Sequence, residues 1–65
     1  MADRNADKGM ALKIARTRAS IRQYEVAGEL GVSPSYVSLI ESGRIEPPPD
    51  FGGRYQDALA RISSP

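Results

Sequence analysis

The chain contains neither cysteine nor histidine. Without cysteine it has no disulfide bond and no thiolate metal ligand to stabilise a small fold. Without either residue type it also lacks imidazole general bases, thiol nucleophiles and the usual zinc ligands, so most hydrolytic and metal-dependent active sites are hard to build. We therefore expect a protein that is not an enzyme and that uses no metal or other cofactor.

Long apolar runs are also missing. No stretch approaches the roughly 18 to 20 apolar residues that a membrane span requires. The first nine residues are polar and lack the hydrophobic stretch of a signal peptide. We therefore expect a cytoplasmic protein.

Aromatic residues make up only 6% of the chain, whereas hydrophobic residues make up 40%. The core is therefore expected to consist mainly of Leu, Ile, Val and Ala. A chain of 65 residues has room for one domain with a modest core. A compact helical bundle is the simplest fold that satisfies these limits.

The net charge of +1 conceals a strong asymmetry. Residues 1–24 carry six basic and two acidic residues, whereas residues 25–65 carry three basic and six acidic ones. A basic half is typical of a protein with a polyanionic partner, although it also fits a solvated helix with basic side chains. The charge pattern alone leaves both interpretations open.

Hydrophobic periodicity predicts a first helix from Met10 to about Ala19, preceded by a flexible N-terminal arm over residues 1–9. A second helix is expected to end at Gly31, since glycine readily takes the left-handed conformation that closes a helix. Ser33 followed by Pro34 predicts the start of a third helix, because serine caps free N–H groups and proline suits the first helical position. Gly43 is its expected end.

Three consecutive prolines at residues 47–49 predict an extended connector after the third helix. Apolar residues three and four apart then predict a final helix. That helix begins either near Asp50 or only after Gly53, since each of two adjacent glycines costs about 1 kcal/mol inside a helix. The expected domain covers residues 10–65.

The segment QYEVAGELGVSPSYVSLIESG, residues 23–43, contains two short helices joined by a tight turn with glycine. This arrangement is typical of a helix-turn-helix, in which the second helix docks in the major groove of DNA. An ordinary helical hairpin in a protein core could show the same spacing. The pattern favours DNA binding without excluding that alternative.

The chain resembles the Cro and phage-repressor type of helix-turn-helix proteins, also called the XRE family, over about residues 12–47. The matching positions are Leu12, Ala15, Arg16, Ile21, Gln23, Val26, Ala27, Leu30, Gly31, Val32, Ser33, Val37, Ile40, Glu41, Gly43 and Pro47. The resemblance implies an all-α, lambda-repressor-like bundle of four to five helices. It also implies a sequence-specific DNA-binding regulator of transcription, expected to be a repressor. Such a protein is often a homodimer on a palindromic operator and is associated with the nucleoid when bound to double-stranded DNA.

The resemblance also assigns site residues. The positions that match the base-contacting residues of the family are Pro34, Ser35, Ser38 and Leu39. Those that match phosphate-contacting residues are Arg22, Gln23, Tyr36, Ser42 and Arg44. The structural positions are Arg16, Gly31 and Glu41, with Arg16 and Glu41 expected to form a partly buried ion pair.

The base-contacting positions depart from the common family pattern. Pro34 and Leu39 replace long polar side chains and cannot form bidentate contacts with a base. Specificity is then expected to rest on Ser35, Ser38, contacts with thymine methyl groups and DNA shape. The apolar Leu39, together with Tyr24 and Tyr36, also supports an alternative: a protein-interaction module on the same scaffold, such as an antitoxin or an adaptor of the transcription machinery.

Overall fold

The computed structural model describes residues 4–64. It contains the helices α1 (Arg4–Arg18), α2 (Gln23–Leu30), α3 (Pro34–Glu41) and α4 (Phe51–Ser63). Helices α1 and α2 each pack against both α3 and α4. The expected all-α bundle is confirmed, with four helices in this part of the chain. None of the four is long and apolar enough to cross a membrane.

The core draws side chains from all four helices and from Ile21, which precedes α2. Two aromatic residues of α4, Phe51 and Tyr55, are among the largest fully buried side chains. The few aromatic residues therefore contribute more to the core than composition alone indicates. The buried hydrophobic residues are Leu12, Ile21, Val26, Ala27, Leu30, Val37, Ile40, Phe51, Tyr55, Ala58 and Leu59.

The turn between α2 and α3 has the predicted structure. Gly31 follows the last residue of α2 with φ +74°, and the Val32 N–H donates to the Ala27 carbonyl at 3.0 Å. This left-handed closure satisfies carbonyls that a helix end otherwise leaves free. Ser33 then accepts a hydrogen bond from the Tyr36 N–H at 3.1 Å, and Pro34 is the first residue of α3. The predicted cap and helix start are confirmed.

The predicted start of the first helix at Met10 is wrong, because α1 begins at Arg4. Residues 4–9 are therefore helical and do not form an unstructured arm, while residues 1–3 lie outside the described part. Gly9 is buried, and a Cβ atom there would lie 2.1 Å from the Ile40 carbonyl oxygen and 2.7 Å from that of Glu41. This glycine lets α1 approach the end of α3 closely.

The start of α4 at Phe51 decides between the two expected positions. The alternative start after Gly53 is wrong, since both glycines lie in the first turn of the helix. Phe51 is 2% exposed, and its N–H donates to the Pro48 carbonyl at 3.0 Å. Burial of this ring offsets the low helix propensity of the glycines that follow.

Candidate nucleic-acid interface

Helix α3 has one buried and one exposed face. Val37, Ile40 and Glu41 are buried against the rest of the bundle. The side chains predicted to contact bases are all exposed, with Leu39 at 37% of its full accessibility. These four positions, which form the outer face of α3, are Pro34, Ser35, Ser38 and Leu39.

Two exposed arginines lie next to ends of the motif helices. Arg22 immediately precedes α2, and Arg44 lies two residues after Ser42, the C-cap of α3. Both side chains are exposed, and within residues 4–64 neither forms an ion pair. The Arg44 N–H donates to the Leu39 carbonyl at 2.9 Å, which ties this residue to the end of α3. The Arg22 guanidinium donates to the Tyr24 hydroxyl at 3.1 Å.

The side chains of two other residues predicted to contact phosphate already make contacts within the protein. Tyr36 is half-buried, and its ring lies nearly perpendicular to that of Phe51, with 6.1 Å between the ring centroids. The exposed Ser42 donates its hydroxyl hydrogen to the Leu39 carbonyl at 3.1 Å. A serine hydroxyl has a single hydrogen to donate, so a phosphate contact by Ser42 requires rotation of this group.

A buried polar cluster lies behind the outer face of α3. Two nitrogens of Arg16 donate to the Glu41 carboxylate at 2.8 and 3.0 Å, and a third contact joins Arg16 to the Ile21 carbonyl at 2.8 Å. Arg16 is 8% exposed and Glu41 is 4% exposed. The ion pair predicted between the first and third helices is confirmed.

Gln23 and Tyr55 also bind the Glu41 carboxylate, which sequence reasoning missed. The Gln23 side-chain amide donates to Oε1 at 3.1 Å, and the Tyr55 hydroxyl donates to Oε2 at 2.5 Å. The contacts join residues 18 and 14 positions apart along the chain, so no local pattern announces them. The sequence offered one signal. Tyr55 lies on the apolar stripe of α4, which is expected to be buried, so its hydroxyl needs a hydrogen-bond partner inside the protein.

Opposing effects act on the Glu41 carboxyl group. Burial alone raises its pKa, but the hydrogen bonds from Arg16, Tyr55 and Gln23 outweigh burial and hold the pKa below its ordinary value. Burial and the neighbouring carboxylate raise the pKa of Tyr55, while the hydrogen bond to Glu41 raises the pKa of Arg16. At neutral pH the cluster therefore consists of a carboxylate, a guanidinium and a protonated phenol.

The cluster connects all four helices at the end of α3. Arg16 comes from α1, Gln23 from α2 and Tyr55 from α4, and all three converge on Glu41. Within the described residues, no buried side-chain nitrogen or oxygen lacks a hydrogen-bond partner. A fully satisfied network of this kind holds α3 in a fixed orientation relative to the other helices, with its outer face exposed.

Comparison with protein families gives a match to a helix-turn-helix domain over residues 9–62. The chain belongs to this helix-turn-helix family. The family lies in the Cro- and XRE-like group, which confirms the resemblance seen in the sequence. Neither the comparison with curated proteins nor that with solved structures gives a match.

Membership indicates a DNA-binding regulator in general terms, in a group whose members are typically not enzymes. The match covers α2, α3 and nearly all of α4, and it begins at Gly9, the residue that packs against the end of α3. In the helix-turn-helix domain, α2 and α3 are the two helices of the motif, and α3 is its second helix.

Proposed function

We propose that this protein is a sequence-specific transcriptional repressor that inserts α3 into the major groove of double-stranded DNA. The observation that carries this proposal is the exposed outer face of α3 on a helix whose other face is held by the buried cluster. A reading helix must keep a fixed orientation relative to the backbone contacts that set its register. Family membership supports the same partner.

Base recognition is proposed to combine weak polar and apolar contacts. Ser35 and Ser38 each offer a hydroxyl that can bond to several base edges, so either serine discriminates poorly alone. Pro34 and Leu39 can only make apolar contacts, and the thymine methyl group is the major-groove feature that rewards them. We therefore propose an A/T pair under Leu39, with the remaining specificity coming from DNA shape.

Phosphate contacts are assigned to the residues beside α3. Arg22 and Arg44 supply positive charge, which gives affinity without sequence information. Gln23 already donates its side-chain amide to Glu41, so we propose that it binds phosphate through its main-chain N–H at the start of α2. Tyr36 and Ser42 are proposed to add weaker contacts with the backbone of the duplex.

Selection of binding sites from random duplexes is the first test. We expect one enriched sequence whose best variants carry A/T pairs within the part covered by α3. An enriched palindrome would indicate a homodimer, because half-site spacing reflects the two-fold symmetry of the protein. A selection that enriches no sequence would contradict sequence-specific recognition. Loss of reporter expression from a promoter that overlaps the site would support repression, whereas a gain would contradict it.

Two variants separate base contacts from phosphate contacts. Leu39→Ala should lower the affinity for the selected site by roughly 1 kcal/mol and leave binding to a scrambled duplex nearly unchanged. Arg44→Ala should weaken binding to both duplexes and reduce the slope of affinity against salt concentration by about one. Arg61→Ala is the matched control, since this arginine lies on α4 and pairs with Glu29 at 2.6 Å. It should leave both affinities unchanged.

One observation favours a second candidate, a protein-interaction module. Tyr24 of α2 is 58% exposed and Leu39 of α3 is 37% exposed, so both helices of the motif present a large apolar or aromatic side chain to a partner. In that case Leu39→Ala would leave DNA binding intact and abolish binding to a protein partner. Binding of duplex DNA that falls steeply with salt would instead support the first candidate.

A further inference from the structure

A cleft lies between α1 and the connector that joins α3 to α4. Its volume is about 300 Å³. The lining consists of Lys8, Ala11 and Leu12 from α1, the three prolines at residues 47–49 and Gly52 from α4. Ligand pockets in proteins hold about 300 to 1,000 Å³. This cleft, which we call the proline cleft, therefore has room for a small ligand of one or two rings.

The connector wall of the proline cleft is fixed at both ends. The N–H groups of Arg44 and Ile45 donate to the Leu39 carbonyl at 2.9 and 3.4 Å, which attaches the start of the connector to α3. At the other end, the Phe51 N–H donates to the Pro48 carbonyl at 3.0 Å, and the Phe51 ring is buried in the core. Each proline also has a φ fixed by its own ring. The cleft is therefore preformed, and little ordering of the chain opposes binding.

The lining of the proline cleft favours a flat apolar group. Proline has no N–H to donate, and Ala11 and Leu12 add only aliphatic surface. Aromatic rings pack well against proline rings, as they do where proline-rich peptides bind aromatic grooves. An aromatic ring can therefore bind between α1 and residues 47–49.

One charge accompanies this apolar surface. Among the described residues, Lys8 is the one charged residue that lines the proline cleft. Its side chain is exposed and carries three N–H donors. Other charged residues close to the lining in the sequence are exposed but do not line the cleft: Asp7, Lys13, Glu46 and Asp50. The lining therefore matches a ligand with one negative charge at the edge of an aromatic ring.

We propose that the proline cleft binds small aromatic carboxylates, with the ring against the prolines and the carboxylate at the Lys8 ammonium group. This inference goes beyond the proposed function and does not depend on DNA binding. The lining comes from two segments far apart in the chain, so the site exists only in the folded state. We expect a dissociation constant of about 1 mM for an aromatic acid of about 13 non-hydrogen atoms.

Titration of the full chain with naphthoate, followed by heteronuclear NMR of the backbone amides, tests the site. The amide signals of Lys8, Ala11, Leu12 and Gly52 should shift and saturate, whereas that of Ser38 on the outer face of α3 should not move. Naphthamide keeps the rings without the charge, and cyclohexane carboxylate keeps the charge without an aromatic ring. Both should bind more weakly than naphthoate. Shifts that do not saturate or that centre on another surface, or equal binding of either control compound, overturn the proposal.

Replacement of Lys8 tests the position of the carboxylate. Lys8→Gln should weaken naphthoate binding by about threefold and leave naphthamide binding unchanged, because an exposed charge contributes modestly. Lys13→Gln is the matched control, since Lys13 is an exposed lysine of the same helix that does not line the cleft. It should bind naphthoate as the natural chain does. No loss in Lys8→Gln, or an equal loss in both variants, overturns the proposed contact.

Filling the proline cleft gives a test that keeps every charge. Gly52 and Gly53 are adjacent in α4, and a Cβ atom at either would meet no atom within 4 Å. Both leucine variants should therefore fold, since leucine favours a helix more than glycine does. Of the two glycines, Gly52 alone lines the cleft.

Gly52→Leu should therefore abolish the saturable shifts with naphthoate, and Gly53→Leu should retain them. Thermal melting gives an independent measurement, because a ligand that binds only the folded state raises the Tm. Naphthoate should raise the Tm of the natural chain and of Gly53→Leu, and leave that of Gly52→Leu unchanged. Naphthoate binding that persists in folded Gly52→Leu overturns the proposal.

Discussion

Replacement of Glu41 by glutamine tests whether the buried cluster is the main polar determinant of stability. The carboxylate accepts hydrogen bonds from Arg16, Gln23 and Tyr55. In Glu41→Gln the guanidinium of Arg16 stays buried without a counter-charge. The new amide nitrogen, itself a donor, also faces groups that donate. We therefore expect a large loss of stability even though the side chain keeps its size.

The size of the expected loss of stability follows from the burial of the ion pair. Removal of one partner from a buried ion pair costs about 3 to 5 kcal/mol. A domain of 65 residues has a total stability of about 3 to 10 kcal/mol at the usual value per residue. A loss of about 3 kcal/mol corresponds to a fall in Tm of about 12 to 24 °C for a domain of this size. The variant should be partly unfolded at 37 °C.

The assay is urea and thermal unfolding at neutral pH, followed by circular dichroism at the helix band. Glu29→Gln is the matched control. Glu29 and Arg61 are 2.6 Å apart, closer than the buried pair, but their side chains are 38% and 54% exposed. An exposed pair contributes at most about 1 kcal/mol. Equal losses in Glu41→Gln and Glu29→Gln would refute the reasoning, because burial would then not decide the effect.

A further set of variants separates the charge from the packing. Arg16→Met, Glu41→Leu and Tyr55→Phe together remove the ion pair and the hydroxyl that faces it. Because well-packed apolar side chains can replace a buried ion pair at little cost, the triple variant should be more stable than Glu41→Gln. Lower stability of the triple variant would indicate that shape matters more here than the stranded charge.

Three further outcomes are expected from the structure. The pKa of Glu41 lies below its ordinary value, so the stability it contributes is complete above about pH 4.3 and is lost as the pH falls through the lowered pKa. The difference in unfolding free energy between the natural chain and Glu41→Gln should therefore shrink in acid, as measured by urea titrations at several pH values. Gly9→Ala should lower stability by about 1 to 3 kcal/mol, because its Cβ would lie 2.1 Å from the Ile40 carbonyl oxygen. Gly28→Ala, with no atom within 4 Å of the new Cβ, should instead raise stability by about 1 kcal/mol. Urea unfolding measures both changes, and a change of the same sign in the unfolding free energy of the two variants contradicts this account. Ser20 has φ +59°, so Ser20→Gly should raise the Tm, with a stabilisation of about 1 kcal/mol, and a lower Tm would show that the serine side chain compensates for the strain.

Local signals in the sequence were sufficient for the helix-turn-helix itself. Gly31, Ser33 and Pro34 act through their own backbone preferences and through hydrogen bonds to neighbours within a few residues. The end of α2 and the start of α3 follow from these preferences. The family resemblance added the Arg16 and Glu41 pair, which joins residues 25 positions apart.

Distant contacts decided the rest. Gly9 disfavours a helix by its own backbone preference, yet α1 continues through it. A glycine is needed at this position because α3 packs too closely to leave space for a side chain. Gly52 lies in the first turn of α4 because the ring of Phe51 is buried in the core. Tyr55 and Gln23 reach Glu41 only once the helices have packed. The sequence by itself determined the motif through short-range backbone preferences, whereas the extent of α1 and α4 and the buried cluster required the energies of packing between segments far apart in the chain.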